Sequence, residues 1–115
     1  FFFALMACPI IGKWIFTYYG RADPEKWLEI KEVDGSPELE GSEAMISCGP
    51  VSQVVSGKRW EFPVKQDMEH TGKVTFELKR GGNEATVTFS WDPRGEEDGE
   101  DVHGPFTYQR DGPSP

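Results

Sequence analysis

What most constrains the fold of this chain is a run of apolar residues that recurs at every second position. Trp60, Phe62 and Val64 alternate with Glu61, Pro63 and Lys65, and Val74, Phe76 and Leu78 alternate with Thr75, Glu77 and Lys79. Ala85, Val87, Phe89 and Trp91 alternate with Thr86, Thr88 and Ser90, and Phe106 and Tyr108 with Thr107 and Gln109. Successive side chains of an extended strand point to opposite faces, so this pattern describes strands wetted on one side and buried on the other. A helix would spread the same residues around its whole circumference. Trp60, Phe62, Val74, Phe76, Val87, Phe89 and Trp91 are therefore expected to point inward, and Thr75, Glu77, Thr86 and Thr88 outward.

The first half of the chain is less regular. Trp14, Phe16 and Tyr18 form one face of a first strand near 12–19, and Leu28 and Ile30 suggest a second near 26–33, followed by a turn at Asp34-Gly35-Ser36. The second has a competing reading: Asp23-Pro24-Glu25 has the cap, first-turn proline and first-turn acid of a helix start, which would make Trp27 to Val33 a short helix. A third strand is expected over 38–47 with Gly41 as a bulge, and a shorter fourth over Pro50 to Ser56, with proline at a position an edge strand tolerates. Gly49-Pro50, Thr71-Gly72 and Arg80-Gly81-Gly82-Asn83 read as turns. Eight strand segments at about twelve residues each predict an all-β domain, an antiparallel up-and-down meander in a closed or nearly closed barrel. The alternative is an open two-sheet β-sandwich.

Composition sets the remaining bounds. The 115 residues make one domain, and 13% aromatic residues supply enough apolar area to offset chain entropy. With 12 Lys and Arg against 20 Asp and Glu, the net charge is −8, which repels nucleic-acid phosphates and anionic lipid surfaces. Residues 1–11 carry no charge and read as an apolar leader or as the remnant of a secretory or lipoprotein signal, with Cys8 as the lipid anchor. Residues 12–110 form the domain and 111–115 a disordered tail. This leader points to an exported protein. Cys8 and Cys48 are too few for a structural zinc site; they would form a disulfide in an oxidising compartment, or Cys48 would be a buried thiol.

Residues 92–101 run Asp-Pro-Arg-Gly-Glu-Glu-Asp-Gly-Glu-Asp, and Asp92, Glu96, Glu97, Asp98, Glu100 and Asp101 are the hard oxygen ligands Ca²⁺ prefers. The spacing is not that of an EF-hand, because His103 stands where the terminal bidentate glutamate would be, so the run reads as a solvated loop and no metal site is expected. His70 and His103 read as surface residues. No nucleophile motif accompanies them, and nothing in the spacing pairs Glu61, Glu77 or Asp67 with a histidine for acid–base work, so neither an enzyme nor a cofactor is expected. The aromatic residues are the best functional material. Tyr18, Trp60, Phe62, Phe89, Trp91 and Tyr108 are candidates to line the open end of a barrel around a small apolar or aromatic ligand, and the competing reading is that they fill the core.

At its two ends the domain resembles a known group. Gly12-Lys13-Trp14 resembles the Gly-x-Trp signature on the first strand of lipocalin-like and avidin-like barrels, and Phe106-Thr107-Tyr108-Gln109-Arg110 resembles their last strand with its terminal arginine. The resemblance implies a lipocalin-like barrel whose Trp14 and Arg110 pack together at the closed end, and a non-enzymatic module for a small apolar or aromatic ligand. The chain is far shorter than the classical lipocalins and has no Thr-Asp-Tyr segment, which argues against a large calyx. Thr88 to Asp92 with the acidic run also resembles the ending of small bacterial and phage domains that carry no known function. The alternative to ligand capture is an acidic interaction module, immunity- or inhibitor-like, that meets a basic protein partner through the Asp92–Asp101 loop.

Overall fold

The computed structural model describes residues 8–93, 99 and 101–111. The apolar segment 1–7, residues 94–98 and 100 of the acidic run, and the tail 112–115 lie outside them. Most of the expected leader, most of the weighed Ca²⁺ ligands and all of the expected disordered end but Asp111 therefore fall outside the description. The described residues form nine strands and no helix: β1 (Gly12–Tyr18), β2 (Arg21–Val33), β3 (Ser36–Gly41), β4 (Met45–Ser47), β5 (Ser52–Val55), β6 (Arg59–Gln66), β7 (His70–Leu78), β8 (Glu84–Trp91) and β9 (Asp101–Arg110).

Each strand pairs antiparallel with its neighbours in the order β4-β3-β2-β1-β9-β8-β7-β6-β5, and a further β4–β6 pairing closes the ring. Closure removes the exposed edges that an open sheet would present. The result is an eight-stranded up-and-down barrel with β5 attached beside it, paired only to the first part of β6. The expected all-β meander is present, but its eight staves are not the eight segments read from the sequence. The stretch 38–47 is not one strand bulged at Gly41. It is two staves, β3 and β4, separated by a turn in which Glu43 and Ala44 take positive φ. Gly41 ends β3, where a Cβ would lie 2.6 Å from the Met45 methyl and 3.1 Å from Leu28 Cδ2. The segment expected at 50–56 is the accessory strand.

The helix alternative for Trp27 to Val33 gives way to strand β2. The cap-like residues before it do a different job: Asp23 Oδ1 accepts a hydrogen bond from the Glu25 amide at 3.2 Å, and the register jumps there, so that Ile15 faces Trp27 while Phe16 faces Asp23. Asp-Pro chemistry suited to a helix start thus builds a bulge, because the backbone on either side is already committed to its neighbours in the ladder.

The inward face is packed with Trp14, Leu28, Ile30, Leu39, Phe62, Val64, Val74, Phe76 and Val87, all buried. Trp14 and Phe76 meet edge to face with centroids 5.0 Å apart, a favoured aromatic geometry. Of the residues expected inward, Trp60, Phe62, Val74, Phe76 and Val87 are buried, whereas Phe89 and Trp91 are half-buried beyond a register shift in β8. The outward face carries charge. Glu77 pairs with Arg59 at 3.3 Å and Lys58 at 3.9 Å, and Glu61 with Lys73 at 3.7 Å. Cys8 and Cys48 are free thiols, and Cys48 is exposed, so neither the disulfide nor a buried Cys48 is found.

Candidate ligand-binding site

The two ends of the barrel are built differently. At one end the chain entering β1 folds over the core, and the Trp14 indole N–H donates to the Ile10 carbonyl at 3.0 Å. The Arg110 guanidinium lies over the Trp14 ring, 4.4 Å from its centroid, and donates to the carbonyls of Gly82 (3.1 Å), Ile11 (2.7 Å) and Pro9. Gly12 makes the approach possible: it sits at φ +136°, and a Cβ there would lie 2.9 Å from Arg110 Nη1. Burial lowers the Arg110 pKa from its ordinary value, the expected cost of covering a charge. This end is shut.

The other end is open. Its cavity of about 270 Å³ is walled by five rings, Phe16, Phe89, Trp91, Phe106 and Tyr108, together with Leu28 and Met45. Space is made by Gly72, which faces Trp91 across the β7–β8 ladder. A Cβ on Gly72 would stand 2.6 Å from Trp91 Cε3 and 2.5 Å from the Ser90 carbonyl oxygen, so the indole occupies the room that a side chain at 72 would need. Phe106 meets Phe16 at 5.7 Å between centroids, Tyr108 meets Phe16 at 5.7 Å, and Phe89 meets Phe106 at 6.0 Å. Phe16, Phe89, Phe106 and Tyr108 form a continuous aromatic cluster that packs on the core, with Tyr108 part of that core.

Polar groups stand at the mouth: Lys26, Ser42, Glu43, Gln66 and His103. The turn that carries Glu43 is held in its left-handed conformation by its neighbours. Gln66 Nε2 donates to the Glu43 carbonyl at 3.2 Å, the Asp67 amide donates to the Ala44 carbonyl at 3.3 Å, and Ser42 Oγ accepts from the Trp27 amide at 3.2 Å. Lys26 Nζ lies 5.4 Å above the Phe16 ring, and His103 Nε2 is 3.0 Å from Asp101 Oδ2. His70 stacks on Trp91 at 5.1 Å and contacts the Asp92 carbonyl at 3.1 Å, while Thr71 Oγ1 donates to Asp92 Oδ2 at 2.7 Å. One side chain is set apart by its environment: Tyr108 is only 5% exposed although it lines the cavity. Desolvation, with a further contribution from the Glu43 charge, holds its hydroxyl firmly in its neutral form.

Of the six aromatic residues singled out from the sequence, Phe89, Trp91 and Tyr108 come together in this cavity. Phe62 is wholly buried in the core, Tyr18 is 63% exposed beyond the mouth, and Trp60 faces the opposite end. There it borders a cleft of about 500 Å³ whose wall mixes strand residues such as Glu32 and Gln53 with the turn residues Gly35, Ser56 and Gly57; Cys8 is part of that wall and leads directly into residues 1–7. Phe16 and Phe106 belong to the cavity and were legible in the alternation as partners of Tyr18 and Tyr108. Lys26 and Glu43 come from a bulge and a turn and left no periodic signal. His103, expected at the surface, is exposed on the rim.

Among the described residues no group of three or more His, Cys, Asp and Glu side chains is placed to hold a metal ion. Glu61 is engaged with Lys73 and Glu77 with Arg59 in ion pairs on the outer face. Compared with protein-family models, with curated proteins and with solved structures, the chain matches none. Its architecture fits a lipocalin-like barrel in general terms, and the reading of the site rests on the site's own geometry.

Proposed function

We propose that the protein is a non-enzymatic binding module that takes a small, flat, largely apolar ligand into the open end of its barrel. The observation that carries this reading is the cavity itself: about 270 Å³ walled by five aromatic rings, with the phenol of Tyr108 among them. A dry apolar cavity of about 150 Å³ is enough to take benzene in a well-studied engineered protein, so this volume suits a ligand of one ring and a short side chain. Burying such a ring between aromatic walls is favourable, and a single hydroxyl fixes orientation at small cost in desolvation. The lipocalin-like arrangement, with one end shut by Trp14 and Arg110 and the other open, is the geometry such a module needs.

Tryptophan fluorescence tests the reading. Single-ring aromatic fragments should change the emission saturably, and the change should disappear in Trp91→Phe and survive in Trp60→Phe. Signals that survive Trp91→Phe and vanish in Trp60→Phe would move the site to the other end of the barrel.

A further inference from the structure

We infer that the ligand of this cavity is an organic cation, an ammonium group carried on an aromatic body. The inference rests on the binding-module reading and names the ligand class for the same site.

The aromatic wall already holds an ammonium. Lys26 Nζ sits 5.4 Å from the centroid of Phe16, within the range at which a cation is attracted to the negative face of a ring. The lysine is exposed and reaches this position from the bulged part of β2, so it can leave for solvent when another ammonium takes its place. A carboxylate also stands at the mouth. Glu43 stands on the rim with no ion-pair partner among the described residues, and its charge is felt at the Tyr108 hydroxyl, whose ionisation it opposes. His103 is occupied by Asp101 at 3.0 Å. Lys26 is thus the one lining cation without a carboxylate beside it among the described residues, and it is also the movable one.

The Tyr108 hydroxyl supplies an acceptor oxygen for an ammonium N–H within the cavity. The overall charge of −8 draws cations toward the molecule and repels anions. An anionic ligand would have Lys26 in its favour and Glu43, Asp101 and the net charge against it. A cation has all of these in its favour once Lys26 swings away.

Three probes of one shape separate the possibilities: 2-phenylethylammonium, 2-phenylethanol and 3-phenylpropanoate, each titrated into the full chain at neutral pH and low salt, followed by backbone amide NMR shifts. The ammonium should bind most tightly. Glu43→Gln should weaken it about two- to fivefold, the worth of an exposed charge pair, and added salt should do the same. Lys26→Gln should strengthen it, by removing both the competitor for Phe16 and a like charge. The alcohol should be indifferent to both substitutions. Binding led by the carboxylate and weakened by Lys26→Gln would overturn the inference, and so would equal binding of ammonium and alcohol with no effect of Glu43→Gln; in either case the binding-module reading would stand. Saturable binding of none of the three would overturn both.

Discussion

Arg110 and Trp14 face each other across the β1–β9 ladder, with the guanidinium 4.4 Å from the ring centroid. This pair joins the last strand to the first at the point where the chain enters the barrel, and three backbone carbonyls from two different turns complete the arginine's hydrogen bonding. The arginine is a latch as well as a lid: it ties Pro9 and Ile11, which precede β1, to Gly82 in the β7–β8 turn.

Arg110→Ala should therefore lower stability by about 1–2 kcal/mol, combining a lost cation–π contact with carbonyls left to water. Arg110→Lys should recover only part of it, because an ammonium cannot serve carbonyls on three sides in the plane of a fork. Urea denaturation followed by circular dichroism measures both, and a midpoint unchanged in Arg110→Ala would show that the latch contributes nothing.

Gly72→Ala should destabilise the barrel by about 1–3 kcal/mol, the usual range for overpacking. The clash at 2.5 Å is with the Ser90 backbone, which is fixed in the β7–β8 ladder and cannot swing aside. The second clash, with Trp91, should appear as a shift in near-ultraviolet dichroism, since the indole must leave its place over residue 72. A thermal midpoint and aromatic dichroism equal to those of the parent would contradict the packing described for this wall.

Tyr108 gives the protein a weakness at high pH. Its pKa in the folded state is raised above the ordinary value of 10.0, chiefly by burial, so the folded chain holds this proton more tightly than the unfolded chain does. The stability it contributes is complete below pH 10, the unfolded value, and is lost as pH rises from there toward the folded value. Tyr108→Phe removes the titrating group. The variant should match the parent within about 0.5 kcal/mol near neutrality and should be the more stable of the two above pH 10. Parallel stability curves through the alkaline range would show that the hydroxyl is not buried.

The sequence and the structure agree most closely where both faces of a strand carry signal. From Arg59 to Leu78, apolar residues alternate with charged or hydroxylated ones and both strands follow that alternation, but Thr71-Gly72, read as a turn, lies inside β7, paired with Lys65 and Val64, and the chain turns at Asp67 to Glu69 instead. The Trp14–Arg110 contact was legible from two short motifs because each end supplies a residue type with a specific geometric demand. Agreement fails where turn geometry departs from its usual residues. The β3–β4 turn passes through Glu43 and Ala44 at positive φ without the Asn or Gly that normally announces such a turn, so 38–47 reads as one strand. The bulges in β2 and β8 shift which residues face inward, which separates the half-buried Phe89 and Trp91 from the buried core and brings Lys26 to the mouth. The candidate site was half legible for the same reason: its aromatic wall lies on strands, whereas its charged rim lies on turns and bulges.

The most direct test of the account is an amide NMR titration of the ¹⁵N-labelled chain with 2-phenylethylammonium, read residue by residue. The account predicts saturable shifts gathered around the open end, at Phe16, Glu43, Gln66, Phe89, Trp91 and Tyr108, with Trp60 and Gly35 at the other end unmoved. Shifts centred on Trp60 and Gly35, or none that saturate, would contradict it.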